Sequence, residues 1–307
     1  PTPTPPLRLG PYSLASLGTL TALLILALVL GTGAMLQVSH EDALRQQKTT
    51  LRNLAIAFAA QTEIVARAVD QAIGQVERSY KPGQGAEPAR LDYFNEEGAA
   101  EEHLVGLYVF DLKGRLLAHG TPTSAGPSVR PPAPPAAEVL RSEPLHIGIT
   151  EVDAKTGRGI IQVARPLMDS AGRRIGLVLA QVDSERFERI YSLVELGEGG
   201  SVTLCHRDGT MLVRGPSYPA GIGRSFRDTP LFQTYLPASE RGTIEAASPL
   251  DGQPRLYGYD AVSNYPLVII SGMNKSVALA SWYGRLWTAV SLLVLVCMVV
   301  LFLAWRV

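Results

Sequence analysis

Two long apolar stretches near the ends of this 307-residue chain leave little freedom for what lies between them. No charged side chain occurs from Leu9 to Ser39, residues 14–36 are almost wholly apolar, and residues 286–305 form a second such run. Each reaches the ~20 residues that a helix needs to cross a bilayer. The first run is longer than the apolar core of a signal peptide, roughly 7 to 15 residues, and only Arg8 flanks it with positive charge. It is therefore predicted as an uncleaved anchor. The positive charges do not orient it, since Arg8 precedes the run while Arg45, Lys48 and Arg52 follow it.

Composition narrows the remaining classes. The chain is 46% hydrophobic and 18% charged, richer in apolar residues than an average soluble protein, as two spans require. A net charge of zero and the lack of any stretch dense in Lys and Arg speak against a nucleic-acid partner. Cys205 falls in a predicted strand and Cys297 in the second span, so no disulfide joins them. The histidines His40, His103, His119, His146 and His206 show no short metal-ligand spacing. No nucleophile elbow, phosphate loop or dinucleotide fingerprint occurs. No catalytic site, metal or cofactor is expected.

After a proline-rich tail (residues 1–13) and the first span, residues 41–80 contain no proline and one glycine, Gly74. Apolar or small residues recur at Leu51, Ala55, Phe58, Thr62, Val65, Val69, Ala72, Val76 and Tyr80, which share one helix face. At 1.5 Å per residue this helix is about 60 Å long. Such a stalk, placed at residues 37–88, either covers a sheet of its own chain or pairs with a second copy, with dimer contact favoured near the membrane. Pro82, Gly83 and Gly85 end it. The segment from Thr121 to Pro135 is too rich in proline for helix or central strand and is predicted as an exposed loop.

The rest alternates in strand fashion and repeats. Ser201 to Gly215 reads as strand, Asp208-Gly209 turn, and strand. Leu104 to Gly120 is its echo: Gly114, Leu116, Leu117, His119 and Gly120 align with Gly209, Met211, Leu212, Arg214 and Gly215 at one constant offset, which Gly157 and Gly252 share. An ordered pair of strand-turn-strand sets points to a duplicated module. Between the copies, Ser184 to Val194 is predicted as a helix with Ser184 as its N-cap. A brief helix is expected at residues 230–235, and strands at 242–248, 255–262 and 267–272. A linker helix at residues 276–285 then joins the last strand to the second span.

For binding, the informative strand is Arg255-Leu256-Tyr257-Gly258-Tyr259, where alternation puts Arg255, Tyr257 and Tyr259 on one face. A guanidinium beside two phenols suits an anionic or polar ligand. The same residues also suit plain packing, with the tyrosines against a helix and Arg255 paired to a carboxylate. Arg214, at a strand end, is predicted to be exposed or structural.

Two such modules behind a long helix and between two spans resemble the double Cache class of extracytoplasmic sensor, whose modules have a PAS-like fold. The likeness covers residues 37–280 and is carried by several short runs. These are Gly176 to Gln181 with Val182-Asp183, Leu196 to Gly200, Asp208 to Pro216, Asp251 to Arg255, and Tyr265-Pro266-Leu267. The resemblance implies an α+β fold with a membrane-distal module at residues 89–188 and a membrane-proximal module at 189–275. It further implies a homodimer in a bacterial inner membrane, with the sensor region in the periplasm reading an unknown small molecule or a periplasmic protein. An effector after Val307 is implied as well, a diguanylate cyclase (GGDEF) in the first place; the alternatives are a histidine kinase, or a dimerisation or protein-interaction module without a ligand. In the distal module the matching candidates are Tyr108, Arg165 and Asp183, the last in the place of an Asp that binds a ligand amine in amino-acid sensors. Where those sensors carry an Asp-Arg-x-Tyr-Phe-like segment, this chain has Ser128-Val129-Arg130-Pro131-Pro132, so an amino-acid ligand does not carry over.

Overall fold

The computed structural model describes residues 11–80, 88–91, 104–121, 145–149 and 159–306. The helix-ending prolines and glycines, the proline-rich loop and the Gly157 turn lie outside the described residues. The chain divides into two compact units, Pro1–Gln47 with Lys275–Val307, and Lys48–Asn274.

The first unit consists of the beginning of helix α1 (Pro11–Ser79), the short helix α4 (Lys275–Ala278) and helix α5 (Ala280–Arg306). α1 and α5 are each long and apolar enough to cross a membrane. Side chains such as Leu20, Leu30, Trp287 and Phe302 are exposed along them, a surface that water alone would not favour. Nearer the polar end, the His40 ring meets Trp282 edge-on at 4.8 Å, and the Trp282 indole donates to the Leu36 carbonyl at 3.4 Å. Pro11 to Ser13, placed by the sequence in the N-terminal tail, are helical here.

In the second unit, α1 carries the predicted stripe: Leu51, Ala55, Thr62, Val65, Val69, Ala72 and Val76 are buried. This face is consumed within the chain. Phe58 packs edge-on to Tyr191 at 5.2 Å, and Thr62 Oγ1 lies 3.1 Å from the Tyr191 hydroxyl.

Two sheets follow. The first has the order β1-β3-β2-β6-β5-β4, from β1 (Ala89–Arg90), β2 (Leu104–Asp111), β3 (Leu116–Gly120), β4 (His146–Ile149), β5 (Ile160–Met168) and β6 (Arg174–Asp183). The second has the order β8-β7-β11-β10-β9, from β7 (Ser201–His206), β8 (Met211–Gly215), β9 (Arg241–Ala247), β10 (Pro254–Ala261) and β11 (Leu267–Asn274). Every pairing is antiparallel except β1 with β3. Leaving β1 aside, the two sheets have the same strand order.

The echo between the hairpins extends to their register. Leu107 pairs with Gly120, Tyr108 with His119, Val109 with Ala118 and Phe110 with Leu116. Val202 pairs with Gly215, Thr203 with Arg214, Leu204 with Val213 and Cys205 with Met211. Each partner in the second set is 95 positions beyond its counterpart (202 − 107, 215 − 120), and the bulges at Val109/Phe110 and Leu204/Cys205 keep that offset. Both turns pass through a glycine at positive φ, Gly114 at 77° and Gly209 at 95°, which a residue with a Cβ resists.

Helix α2 (Ser184–Ser192) connects the sheets. Its N-cap is Asp183 rather than the expected Ser184: the carboxylate accepts from Glu185 N–H at 2.9 Å, while the Ser184 hydroxyl accepts from Gly159 N–H at 3.3 Å. The expected brief helix takes the form of a single π turn, Leu231–Tyr235, running into the one-turn helix α3 (Leu236–Ala238).

Candidate functional site

The two faces of the second sheet have different fates. Leu256, Gly258, Ile269 and Ser271 are buried on the face that meets α1, where the Ser271 hydroxyl donates to the Leu51 carbonyl at 2.6 Å. Side chains alternate along strands, so Ser201, Thr203, Arg214, Arg255, Tyr257 and Ile270 line the other face. That face is partly roofed by the π turn with Phe226 and by the loop Ser248–Leu250, leaving between them an open-mouthed cavity of about 90 Å³. Gly272 makes room for the Tyr257 ring, since a Cβ there would lie 2.8 Å from it.

Arg255 is held from two sides. Its Nε donates to Asn274 Oδ1 at 2.8 Å, and a terminal nitrogen donates to Asp251 Oδ2 at 2.6 Å. Burial alone would raise the Asp251 carboxyl. Hydrogen bonds from Ser248 and the Gln253 N–H, with the charges of Arg255 and Arg214, outweigh it and hold the group below the usual carboxylate range. Burial pushes the Tyr257 phenol up, with Ser248 and Arg255 as hydrogen-bonding neighbours that partly offset it.

Arg214 differs. Its guanidinium stacks on the Tyr218 ring at 5.3 Å, and its Nε is buried with no hydrogen-bond partner among the described residues. Burial lowers its basicity, and the neighbouring Arg255 charge lowers it further. No Asp or Glu lines the cavity among the described residues.

The predicted ligand-facing residues separate. Arg255 and Tyr257 do line one cavity. Tyr259 shares their strand face, but the roof has claimed it: its ring packs with Leu231, Leu236, Ile244 and Val268, and its hydroxyl donates to the Tyr235 carbonyl at 3.3 Å. Tyr108 is fully buried among Phe110, Ala164, Leu177 and Leu179, its hydroxyl without a partner among the described residues. Arg165 lies on the opposite face of that sheet from Tyr108, because Tyr108 aligns with Leu179 and Ala164 while Arg165 aligns with Val178. There it bonds Asp70 of α1 and stands 3.9 Å from Glu77. Asp183 caps α2, so its carboxylate is already engaged. The distal substitute segment, Ser128 to Pro132, lies outside the described residues.

Sequence reasoning missed Arg214 as a cavity residue, along with Ser201, Thr203 and Ser248. The signal was present, since alternation puts Arg214 on the opposite face from its neighbour Val213, which pairs with the core residue Leu204. A strand end simply gave no indication that a roof would close over it.

Residues 184–272, which hold the cavity, match the family model dCache_1_like, described as a histidine kinase sensor domain. This part of the chain is thus similar to Cache-type sensor domains. The structure is similar to the extracellular domain assigned to the histidine kinase rpHK1S-Z16, at 26% identity and TM-score 0.57 over 78% of this chain and 99% of the other. It shares its fold with the ligand-binding domain of the Pseudomonas aeruginosa PAO1 amino-acid chemoreceptor PctC, solved with GABA, at 13% identity and TM-score 0.52 over 74% and 100%. A further likeness is to the periplasmic sensory domain of the Campylobacter jejuni chemoreceptor Tlp1, at 13% identity and TM-score 0.52 over 77% and 98%. No curated protein matches the chain.

Proposed function

We propose that this chain is the sensing region of a membrane-anchored signalling receptor. In this reading α1 and α5 cross a bacterial inner membrane, the modules at residues 89–188 and 189–275 stand in the periplasm, and the receptor works as a homodimer. A small solute is captured in the cavity of the membrane-proximal module. One observation carries the reading: a roofed cavity with a cation lies in the same residues that match the sensor model. Asn274 ends β11 immediately before α4, and its side chain holds Arg255 at the cavity wall. A ligand that favours one position of Arg255 would thereby bias the chain leading to α5, provided it binds the two states differently.

The output is of histidine kinase type in this reading, supported by the description of the matching model and by the similarity to a kinase extracellular domain. A diguanylate cyclase output keeps only the sequence resemblance. Tyr108 retains a candidate ligand role in the distal module, on the face away from α1.

The test is a melting-temperature screen of the chain in lipid nanodiscs against a library of small organic anions, cations, zwitterions and neutral solutes. Binding to the folded form raises the melting temperature with concentration. A library without a single stabilising solute would replace this reading by the ligand-free dimerisation module.

A further inference from the structure

We propose that the cavity of the second sheet is a site for one small monocarboxylate, with Arg214 as the residue that binds it and Arg255 as a positioning residue. This rests on the sensing role proposed above and adds the ligand class.

Charge supplies the first argument. Two guanidiniums, Arg214 and Arg255, face the cavity, and the neighbouring carboxylate is committed to one of them, Asp251 to Arg255 at 2.6 Å. One positive charge remains unmatched. A buried guanidinium nitrogen without an acceptor is costly, and the Arg214 Nε is in that position among the described residues. A single anion placed in the cavity balances that charge; a dianion would overcompensate, and a neutral solute would leave the charge.

The lining supplies the second. A carboxylate has two oxygens, and a guanidinium edge with nearby hydroxyls satisfies both. Ser201, Thr203, Ser248 and Tyr257 bring hydroxyls to the walls around Arg214, and Thr203 is its direct cross-strand partner. The phenol of Tyr257 stays protonated at neutral pH because burial raises it, so it remains a donor. On the opposite wall Phe226, Leu231 and Phe232 offer apolar contact. The ligand is therefore an acid head with a short hydrocarbon tail.

The third argument excludes amino acids. An α-ammonium group needs a carboxylate or several carbonyl acceptors, and no Asp or Glu lines the cavity among the described residues. The free space, about 90 Å³, suits a small solute. Acids of two to four carbons are the class that fits.

The experiment uses the full chain in nanodiscs, in a carboxylate-free buffer at constant ionic strength, with acetate and propionate set against acetamide, propionamide and glycine. Each acid and its amide have nearly the same shape and differ in charge. The acids are expected to raise the melting temperature and to bind by calorimetry, and the amides and glycine to do neither. Arg214→Gln is expected to weaken propionate by about ten- to a hundredfold, the loss of a charge-assisted pair. Arg214→Lys should restore part of the affinity, and Thr203→Val, nearly isosteric, should weaken it severalfold. The last two keep the test sound if Arg214→Gln folds poorly. Amides or glycine stabilising as well as the acids, or acid binding that Arg214→Gln and Thr203→Val leave unchanged, overturns the monocarboxylate assignment while the sensing role stands. Silence from these acids in a chain that responds to another solute class has the same meaning, and silence toward every class overturns both.

Discussion

The Ser271 hydroxyl of β11 donates to the backbone carbonyl of Leu51 in α1 at 2.6 Å, closing a sequence separation of 220 positions. The approach is possible because β10 carries Gly258 beneath the same turn of helix: a Cβ there would stand 2.5 Å from the Arg52 nitrogen, and backbone cannot swing aside. Gly258→Ala should therefore destabilise the folded chain by about 3 kcal/mol or more, since overpacking against main chain has no side-chain escape. Ser271→Ala loses a single buried hydrogen bond and should cost about 1 to 2 kcal/mol. Thermal denaturation followed by circular dichroism ranks the two, and a milder effect for Gly258→Ala would contradict this packing.

Phe58 and Val65 were natural choices for a dimer seam from the stripe alone, but both face the chain's own core, with Val65 only 3% exposed. Val65→Asp is predicted to unfold the sensing unit, because it buries an unpaired charge, rather than to give a folded monomer. Ile64, 63% exposed on the other side of α1, should accept Glu with a change within about 0.5 kcal/mol. Near-ultraviolet dichroism separates unfolding from dissociation.

Glu77 introduces a pH dependence. Burial raises its carboxyl above the ordinary 4.5 and the Asp70 charge adds to this, while Arg165 and Arg78 offset part of it. The folded state thus holds its proton more readily than the unfolded one. The group's contribution to stability is greatest below the unfolded value near 4.5 and declines as pH rises through the higher folded value. Solvent screening at this partly exposed site limits the effect to a few tenths of a kcal/mol, roughly. Glu77→Gln should melt slightly higher than the parent at pH 7, and the difference should vanish by pH 4. A difference that grew on acidification would have the wrong sign.

Cys205 reports on the cavity wall. Its thiol is 2% exposed and is pushed up to about 12, chiefly by burial and further by the Asp208 charge. At pH 8 it should resist iodoacetamide in the folded chain and react once the second sheet unfolds, since the thiolate is the nucleophile. Peptide mass mapping of labelled Cys205 across a thermal ramp checks this, and rapid labelling well below the melting transition would contradict the burial.

The parts legible in advance were those governed by local chemistry. The helix stripe from Leu51 to Val76 follows from side-chain period alone. The hairpin pair follows from turn glycines, and because turn geometry sets register, the likeness of Gly114 and Gly209 carried through to matching bulges. Arg255 and Tyr257 were legible as neighbours on one face because strands alternate.

Tertiary structure alone decided what covers each face and which charges meet. Tyr259 obeys the same alternation as Tyr257, yet the π turn 24 residues earlier in the chain removes it from the cavity. Arg165 finds its carboxylate 95 positions away on α1, and Asp183 gives its oxygen to the next turn of backbone. Arg214 gains a roof from residues 226–232 and 248–250, which no pattern around it announces. By itself the sequence determined periodicity, turns and the two apolar runs, because these depend on residues within a few positions of one another. The site required the fold, because burial and charge pairing depend on segments that meet only after the sheets are covered.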